Sequence, residues 1–252
     1  MIGHRKKYYA SVSFGKDSLC LLLLLIERGY PLDEVVFFNH GVEFQAIYDT
    51  RDKLVPILDS LGIKFTELHP EHPFMYSMLE RPVKKRGTKI IHKYGYSWCG
   101  GPCRWGTSEK MRILKKYIGN NFDYVGIAYD EPERFAKENR PNRILQLVKW
   151  GITEPEALQY CYEKGYDWKE NGIPLYEILD RVSCFCCGNK NLKELFNIYR
   201  YIPEYWTKLL ELQSKTERPF RRKSGDTLFD LDVRFAEKLR LILFEGKILT
   251  CS

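Results

Sequence analysis

The sequence has no hydrophobic run long enough to cross a membrane. Its longest, Leu19–Ile26, falls far short of the roughly 20 residues a bilayer needs. The opening MIGHRKKYYASVSFG has no apolar stretch leading to a small-residue cleavage site, so no secretion signal is read and a cytoplasmic protein is expected. No repeat or low-complexity tract occurs, which excludes fibres and solenoids. Eight cysteines in 252 residues are too few for a disulfide scaffold, and a chain of this length buries a core without staples. Disorder is excluded by 44% hydrophobic and 14% aromatic residues. Forty Lys and Arg against 33 Asp and Glu leave a net charge of +7, which fits an anionic ligand without demonstrating one.

The first part of the chain alternates strand-like and helix-like periods. Lys7–Val12, Val35–Asn39 and Lys64–Leu68 read as strands; Asp17–Arg28, closed by Gly29, and Phe44–Leu61, closed by Gly62, read as helices. This order predicts an α/β fold, Rossmann-like and doubly wound, with a mostly parallel sheet. His69–Gly101 breaks the pattern with prolines, basic residues and aromatics, and predicts a long functional loop region. Arg104–Ile118 returns to helix, Asp123–Ala128 is a further strand, Ile144–Val148 another, and Thr153–Lys164 a helix with a capping start. From Asn189 the period is helical, interrupted by the charged stretch Lys215–Asp226. The expected division is a nucleotide-binding domain with a cysteine site over 1–188 and a helical C-terminal extension over 189–252.

Ser13-Phe14-Gly15-Lys16-Asp17-Ser18 joins the first strand to the first helix. A helix N-terminus there presents free N–H groups and a positive dipole end to an anion. Gly15 permits close backbone approach, Ser13 and Ser18 offer hydroxyls, and Lys16 a point charge. Asp17 can cap the helix or help to hold Mg²⁺. The Walker spacing is absent. An ordinary strand–turn–helix junction is the plain alternative.

The cysteines are grouped. Cys99 and Cys103 form one set, Cys184, Cys186 and Cys187 another, while Cys20, Cys161 and Cys251 stand alone. Two close sets can converge on one metal with little loop entropy lost, and four thiolates hold either a tetrahedral Zn²⁺ or a [4Fe–4S] cluster. Spacing does not choose between these, and buried reduced thiols are the plain alternative. Two basic stretches, 81–93 and 218–223, carry aromatics in or beside them and suit a phosphate backbone with base stacking, or form merely a solvated face. His40, His69, His72 and His92 show no metal spacing; His69 and His72 are read as surface residues.

Read together, these segments resemble the PP-loop ATP pyrophosphatases, and more narrowly the PAPS-reductase-like branch of the adenine-nucleotide α-hydrolase-like superfamily. SFGKDS is similar to that superfamily's S-G-G-x-D-S loop; Asn39-His40-Gly41-Val42-Glu43-Phe44 resembles the branch's D-T-G-x-E-F segment. Gly126-Ile127-Ala128-Tyr129-Asp130-Glu131 with Arg134 resembles its G-x-R-x-D-E-S-x-R segment, with Ala128 in place of the Arg. Pro174-Leu175-Tyr176 and Arg181–Cys187 resemble its P-L-Y and cysteine region.

The resemblance implies ATP and Mg²⁺ as ligands. Ser13, Phe14, Gly15, Lys16, Asp17, Ser18, Gly41, Glu43, Gly126 and Asp130 would line the nucleotide site, and Lys16, Asp17 and Ser18 would act in catalysis. It pairs Cys184 with Cys187, leaves Cys186 as a spare thiol, and favours a [4Fe–4S] cluster over Zn²⁺ on Cys99, Cys103, Cys184 and Cys187. Sulfonucleotide reductases usually lack the Lys-Asp-Ser ending, and their C-terminal E-C-G-L-H element has no match in Glu245–Ser252, so Cys251 is a weak nucleophile candidate. The implied activity is ATP-dependent adenylation with release of pyrophosphate, in sulfur transfer to a nucleic acid or a small metabolite. A sulfur-donor protein is an expected partner. The competing expectations are a PAPS or APS reductase, and a nucleotide-binding module with a structural zinc.

Overall fold

In this computed structural model the chain is described over residues 5–99 and 103–249, with the side chains of 105 and 245–249 excluded. Cys251, Gly100, Gly101 and Pro102 lie outside the described residues. In chain order the elements are β1 (Tyr8–Val12), α1 (Lys16–Glu27), β2 (Glu34–Phe38), α2 (Gln45–Ser60), β3 (Lys64–Leu68), β4 (Pro82–Lys84) and β5 (Ile91–Tyr94). They continue with α3 (Glu109–Ile118), β6 (Phe122–Val125), α4 (Pro132–Phe135), β7 (Arg143–Ile144), α5 (Gln146–Trp150), α6 (Glu154–Glu163), β8 (Lys169–Glu170) and β9 (Ile173–Pro174). Helices α7 (Leu175–Ile178), α8 (Leu192–Tyr201), α9 (Pro203–Ser214) and α10 (Leu228–Leu249) complete the chain. None of the described helices is long and apolar enough to cross a membrane.

Two compact units form, each from two stretches of chain: 1–71 with 108–168, and 72–107 with 169–252. The division read from the sequence at residue 188 falls inside the second unit, which also takes in the segment read as a long loop.

The first unit is an α/β sandwich on a five-stranded sheet of order β3-β2-β1-β6-β7, every neighbouring pair parallel. β2 (EVVFF) is buried along its whole length, as a strand covered on both faces must be. Helix α1 buries Leu19, Cys20, Leu21, Leu22, Leu24 and Leu25, nearly all round its axis, and it packs against both β1 and α6. Gly29, at φ 64°, ends it in the left-handed conformation that a side chain resists. The sequence run 144–148, read as a strand, pairs only through Arg143–Ile144 before turning into α5. Its charged anchor explains so short an edge strand. Arg143 lies 3.5 Å from Asp123 on β6 and donates to Glu138 at 2.6 Å, while Arg140 donates to Glu138 at 2.9 and 3.1 Å.

In the second unit, β4 and β5 pair as an antiparallel hairpin, so part of the expected loop is a strand pair. A five-residue π-helical turn, Tyr76–Glu80, precedes it. The C-terminal helices pack on aromatic edges: Phe235 of α10 lies 5.3 Å from Phe196 of α8 and 5.4 Å from Trp206 of α9. Asn191 caps α8 by accepting from the Glu194 N–H, and Glu194 reciprocates at the Asn191 N–H, both at 2.9 Å.

Burial alone would raise the Glu138 carboxyl, but the hydrogen bonds from Arg140 and Arg143 hold it down at about 2, against an ordinary 4.5. A depressed acid stabilises the fold fully above its unfolded value and ceases to as pH falls through its folded one. Glu138→Gln is therefore expected to lower the melting temperature at pH 7. The gap to wild type should narrow as pH drops from about 4.5 towards 2, as thermal melts across that range will read; a constant gap would refute the assignment.

Candidate nucleotide site and cysteine site

β1 is the strand at which the order of the sheet reverses: β2 flanks it on one side and β6 on the other. The crevice beyond the carboxyl ends of such strands is where open α/β sheets bind ligands, and Ser13–Ser18 occupies it. Several contacts shape the loop. Phe14, not Gly15, takes the left-handed conformation (φ 57°), while Gly15 is extended as the helix N-cap. A non-glycine residue there is disfavoured. The cost is offset by complete burial of the Phe14 ring, which meets Phe37 edge-on at 5.1 Å, and by Trp168, whose Nε1–H donates to the Phe14 carbonyl at 2.7 Å. Ser18 Oγ accepts from the Ser13 N–H at 3.1 Å, donates to the Gly15 carbonyl at 3.0 Å and lies 3.0 Å from Ser13 Oγ. Gly126, just past β6, lies so close that a Cβ would fall 2.7 Å from Ser18 Cα.

Helix α1 has no side-chain cap, so the sequence-based role of Asp17 as a cap is not taken up. Asp17 instead accepts from Lys16 Nζ at 2.8 Å, and Glu154, the first residue of α6, lies 3.2 Å from the same ammonium. Asp17, Glu131 and Glu154 bring carboxylate oxygens within 4.8 Å of one another. Burial pushes Asp17 up despite Lys16, with Glu154 and Glu131 adding to the rise. Burial also acts to raise Glu131, but Arg134 and the Ala128 N–H hold it below its ordinary value. Asp130, expected in the nucleotide site, accepts from the Glu154 N–H at 2.9 Å and so fixes the start of α6.

Behind the loop, the two isolated cysteines Cys20 and Cys161 meet as fully buried thiols, and Cys161 lies in hydrogen-bonding reach of the Lys16 carbonyl at 3.4 Å. The Gly41–Glu43 segment leaves the neighbouring strand β2 at the same sheet edge. Gly41 (φ 79°) donates to Asn39 Oδ1 at 2.8 Å, and Asn39 also accepts from Tyr48 and donates to Glu67. Glu43 sits 3.3 Å from His40, which burial and Lys110 push down to about 4, so the imidazole is neutral at pH 7.

The expected loop residues and Gly126 are thus brought together, and Gly41 and Glu43 share their sheet edge. Glu154 was missed. Its position as the first residue of a helix begun by Thr153 and Pro155 was legible, but not its return to Lys16 across the sheet.

The cysteine site lies wholly in the second unit. Cys99 is buried, and Cys103, Cys184 and Cys187 are half-buried; neither these nor the buried Cys186 form a disulfide. Gly188 reaches the first pair: a Cβ on it would fall 2.5 Å from the Cys99 carbonyl oxygen, so only glycine lets the 184–188 turn approach. The Cys187 N–H donates to the Cys184 carbonyl at 3.1 Å, closing that turn. Cys103 Sγ accepts from the Gly106 N–H at 3.2 Å. Its hydrogen bond with Cys99 pushes the Cys103 thiol up, with burial adding to the rise. The Gly106 N–H aimed at the Cys103 sulfur suits a thiolate, but the raised Cys103 thiol would have to give up its proton to ligate a metal.

Residues 7–92 match the family model of the phosphoadenosine phosphosulfate reductase domain. The resemblance read from the motifs therefore holds over the segment that carries the loop, β2 and β3. Uncharacterized protein MJ0066 of Methanocaldococcus jannaschii is 27% identical over 227 residues, 81% of this chain and 41% of that protein. The chain thus spans about two fifths of the length of this curated relative. A solved structure, the U34-tRNA thiolase NcsA from Methanococcus maripaludis with its [4Fe-4S] cluster, is similar at a TM-score of 0.42 and 15% identity, covering 93% of this chain and 73% of that one.

The tight Gly126 approach predicts that Gly126→Ala lowers stability by about 1–3 kcal/mol through overpacking. Trp168→Phe, which strands the buried Phe14 carbonyl, should cost a similar ~1–3 kcal/mol. Urea titrations will read both, and an unshifted midpoint for either would remove that contact from the account of the loop.

Proposed function

We propose that the chain is a PP-loop enzyme that splits ATP between its α and β phosphates to activate an acceptor for sulfur transfer. The observation that carries this is the uncapped start of α1 beside Lys16, which is held between Asp17 and Glu154 with Glu131 close by. Three carboxylates around one ammonium, one of them also paired with Arg134, leave negative charge uncompensated, a setting that favours Mg²⁺. With Asp17, Glu131 and Glu154 holding Mg²⁺, Lys16 would turn to the phosphates, and the helix N-terminus and Ser13 would supply further donors to the pyrophosphate.

An acceptor oxygen then attacks the α phosphorus; the bond from that phosphorus to the bridging oxygen breaks, and pyrophosphate leaves with the electron pair. The acceptor carbon, now carrying AMP on its oxygen, is attacked by a sulfur nucleophile, and AMP departs. Lys16 and the helix dipole stabilise the leaving pyrophosphate, and positioning does most of the rest. Cys99, Cys103, Cys184 and Cys187 would hold a [4Fe–4S] cluster, one thiolate to each iron, and the group would supply iron able to carry sulfur only where one of the four thiolates gives up its position.

The match to a phosphoadenosine phosphosulfate reductase domain supports a second reading, reduction of a sulfonucleotide, in which a thiolate attacks sulfur and no pyrophosphate forms. Pyrophosphate release from ATP, compared with sulfite release from PAPS, separates the two. Pyrophosphate is expected, and Lys16→Ala should cut its rate by about 100-fold or more. Glu154→Gln should raise the Mg²⁺ needed for half-maximal rate about tenfold while leaving the saturated rate within a few-fold of wild type. Sulfite without pyrophosphate would overturn the proposal. Metal analysis of anaerobically purified protein should give about four iron and four sulfide per chain, reduced in Cys99→Ala and Cys187→Ala; one zinc without colour would make the cysteine site structural.

A further inference from the structure

The net positive charge of this chain resides in two short stretches. Residues 81–93 and 218–223 carry ten Lys and Arg and no Asp or Glu, which leaves thirty basic against thirty-three acidic residues elsewhere, a net of −3. The whole excess of +7 therefore belongs to nineteen residues. Though far apart in sequence, they meet in the second unit. Arg81 accepts from the Gly95 N–H at 2.8 Å as β4 and β5 pair, and the chain leaving β5 runs directly to Trp98. Segment 216–222 packs there: Ser97 Oγ lies 2.9 Å from Thr216 Oγ1, the Trp98 ring 4.9 Å from Phe220, and Arg222 donates to the Trp98 carbonyl at 3.1 Å. Lys93 consequently sits among like charges, lowered first by burial and then by Arg218 and Arg222, with Arg104 and the Cys99 thiol also near it.

Such an arrangement is unfavourable by itself. Folding gathers cations that repel one another, and the described residues give no carboxylate partner to Lys93 among its charged neighbours. A polyanion relieves that repulsion. The exposed side chains on β5 indicate which kind: Ile91, 44% exposed, stands opposite Lys84 across the hairpin, and Tyr94, 66% exposed, stands opposite Pro82. A flat ring and an aliphatic surface standing beside cations suit unpaired bases, which stack as their phosphates follow the charge.

We propose that this composite face binds single-stranded nucleic acid, with the hairpin and the 218–223 segment as two banks of one track beside Cys99. Binding itself is independent of the ATP chemistry; that the bound strand is the acceptor rests on the reading above.

The test uses the full chain without ATP or Mg²⁺ and follows the anisotropy of a labelled 20-nucleotide polyuridylate. Wild type should bind with an affinity that falls steeply with salt, the logarithmic slope being roughly −0.7 per phosphate contacted. Lys84→Glu with Lys89→Glu on the hairpin, and Arg218→Glu on the other bank, should each weaken binding about tenfold and flatten the slope. Tyr94→Ala should weaken binding about tenfold while leaving the slope unchanged. Lys137→Glu, an exposed cation of the first unit, should change nothing. The proposal is overturned if the strand does not bind at 50 mM salt, or if only one bank matters. It also fails if duplex RNA, polyglutamate or vesicles with 30% phosphatidylserine compete better than an unlabelled single strand. Pyrophosphate release measured separately keeps the two readings apart: loss of strand binding leaves ATP cleavage standing, and the reverse holds.

Discussion

The first unit depends on a single reversal of the backbone at Phe14. A chain leaving the central strand of a parallel sheet must turn sharply to begin a helix above it, and here the left-handed residue is aromatic rather than glycine. The local preference is overruled by tertiary contacts: a ring with no exposed surface, wedged against β2, and an indole donor on its carbonyl. That solution ties the geometry of the anion site to the core. The loop is correctly shaped only when β2, β6 and Trp168 are in place, so the site is assembled by the same packing that stabilises the sheet.

The α/β alternation was legible because the first strands are β-branched and aromatic runs, and the two helices between them have helical apolar periods that each close on a glycine. Gly29 and Gly62 end their helices where the sequence puts them, both at positive φ. The anion loop was legible for its charge but not its conformation; Gly15 looks like the flexible residue, yet burial assigns the strained position to Phe14. The run Ile144–Val148 has the composition of a strand, but only Ile144, next to the ion-paired Arg143, pairs with β6 before the chain turns into α5. Contacts between residues distant in the chain have no local signature. The return of Glu154 to Lys16, the meeting of Cys20 with Cys161 and the seat of Gly188 on Cys99 all belong to that class.

Charge is arranged on opposite principles in the two units. Around Lys16 carboxylates outnumber the cation they surround, whereas around Lys93 cations gather. Each is an imbalance that an isolated chain would relax if it were free to do so. The first is held by burial of Lys16 and by the Glu154 N–H bond to Asp130; the second by the Trp98–Phe220 contact beneath the arginines.

The chain passes between its two units at residues 71/72, 107/108 and 168/169, so neither is made from one continuous segment. A single cut in the exposed hairpin tip, residues 85–89, would place β1, β2 and β3 on one fragment and β6 and β7 on the other. The sheet would then be joined across its middle by noncovalent contacts, among them the β1–β6 ladder, the packing of α1 on α6, and the Lys16–Glu154 and Trp168–Phe14 contacts. That seam runs beneath Ser18 and Gly126. The covalent link between the two sides of the anion site therefore runs through the segment 72–107 of the other unit.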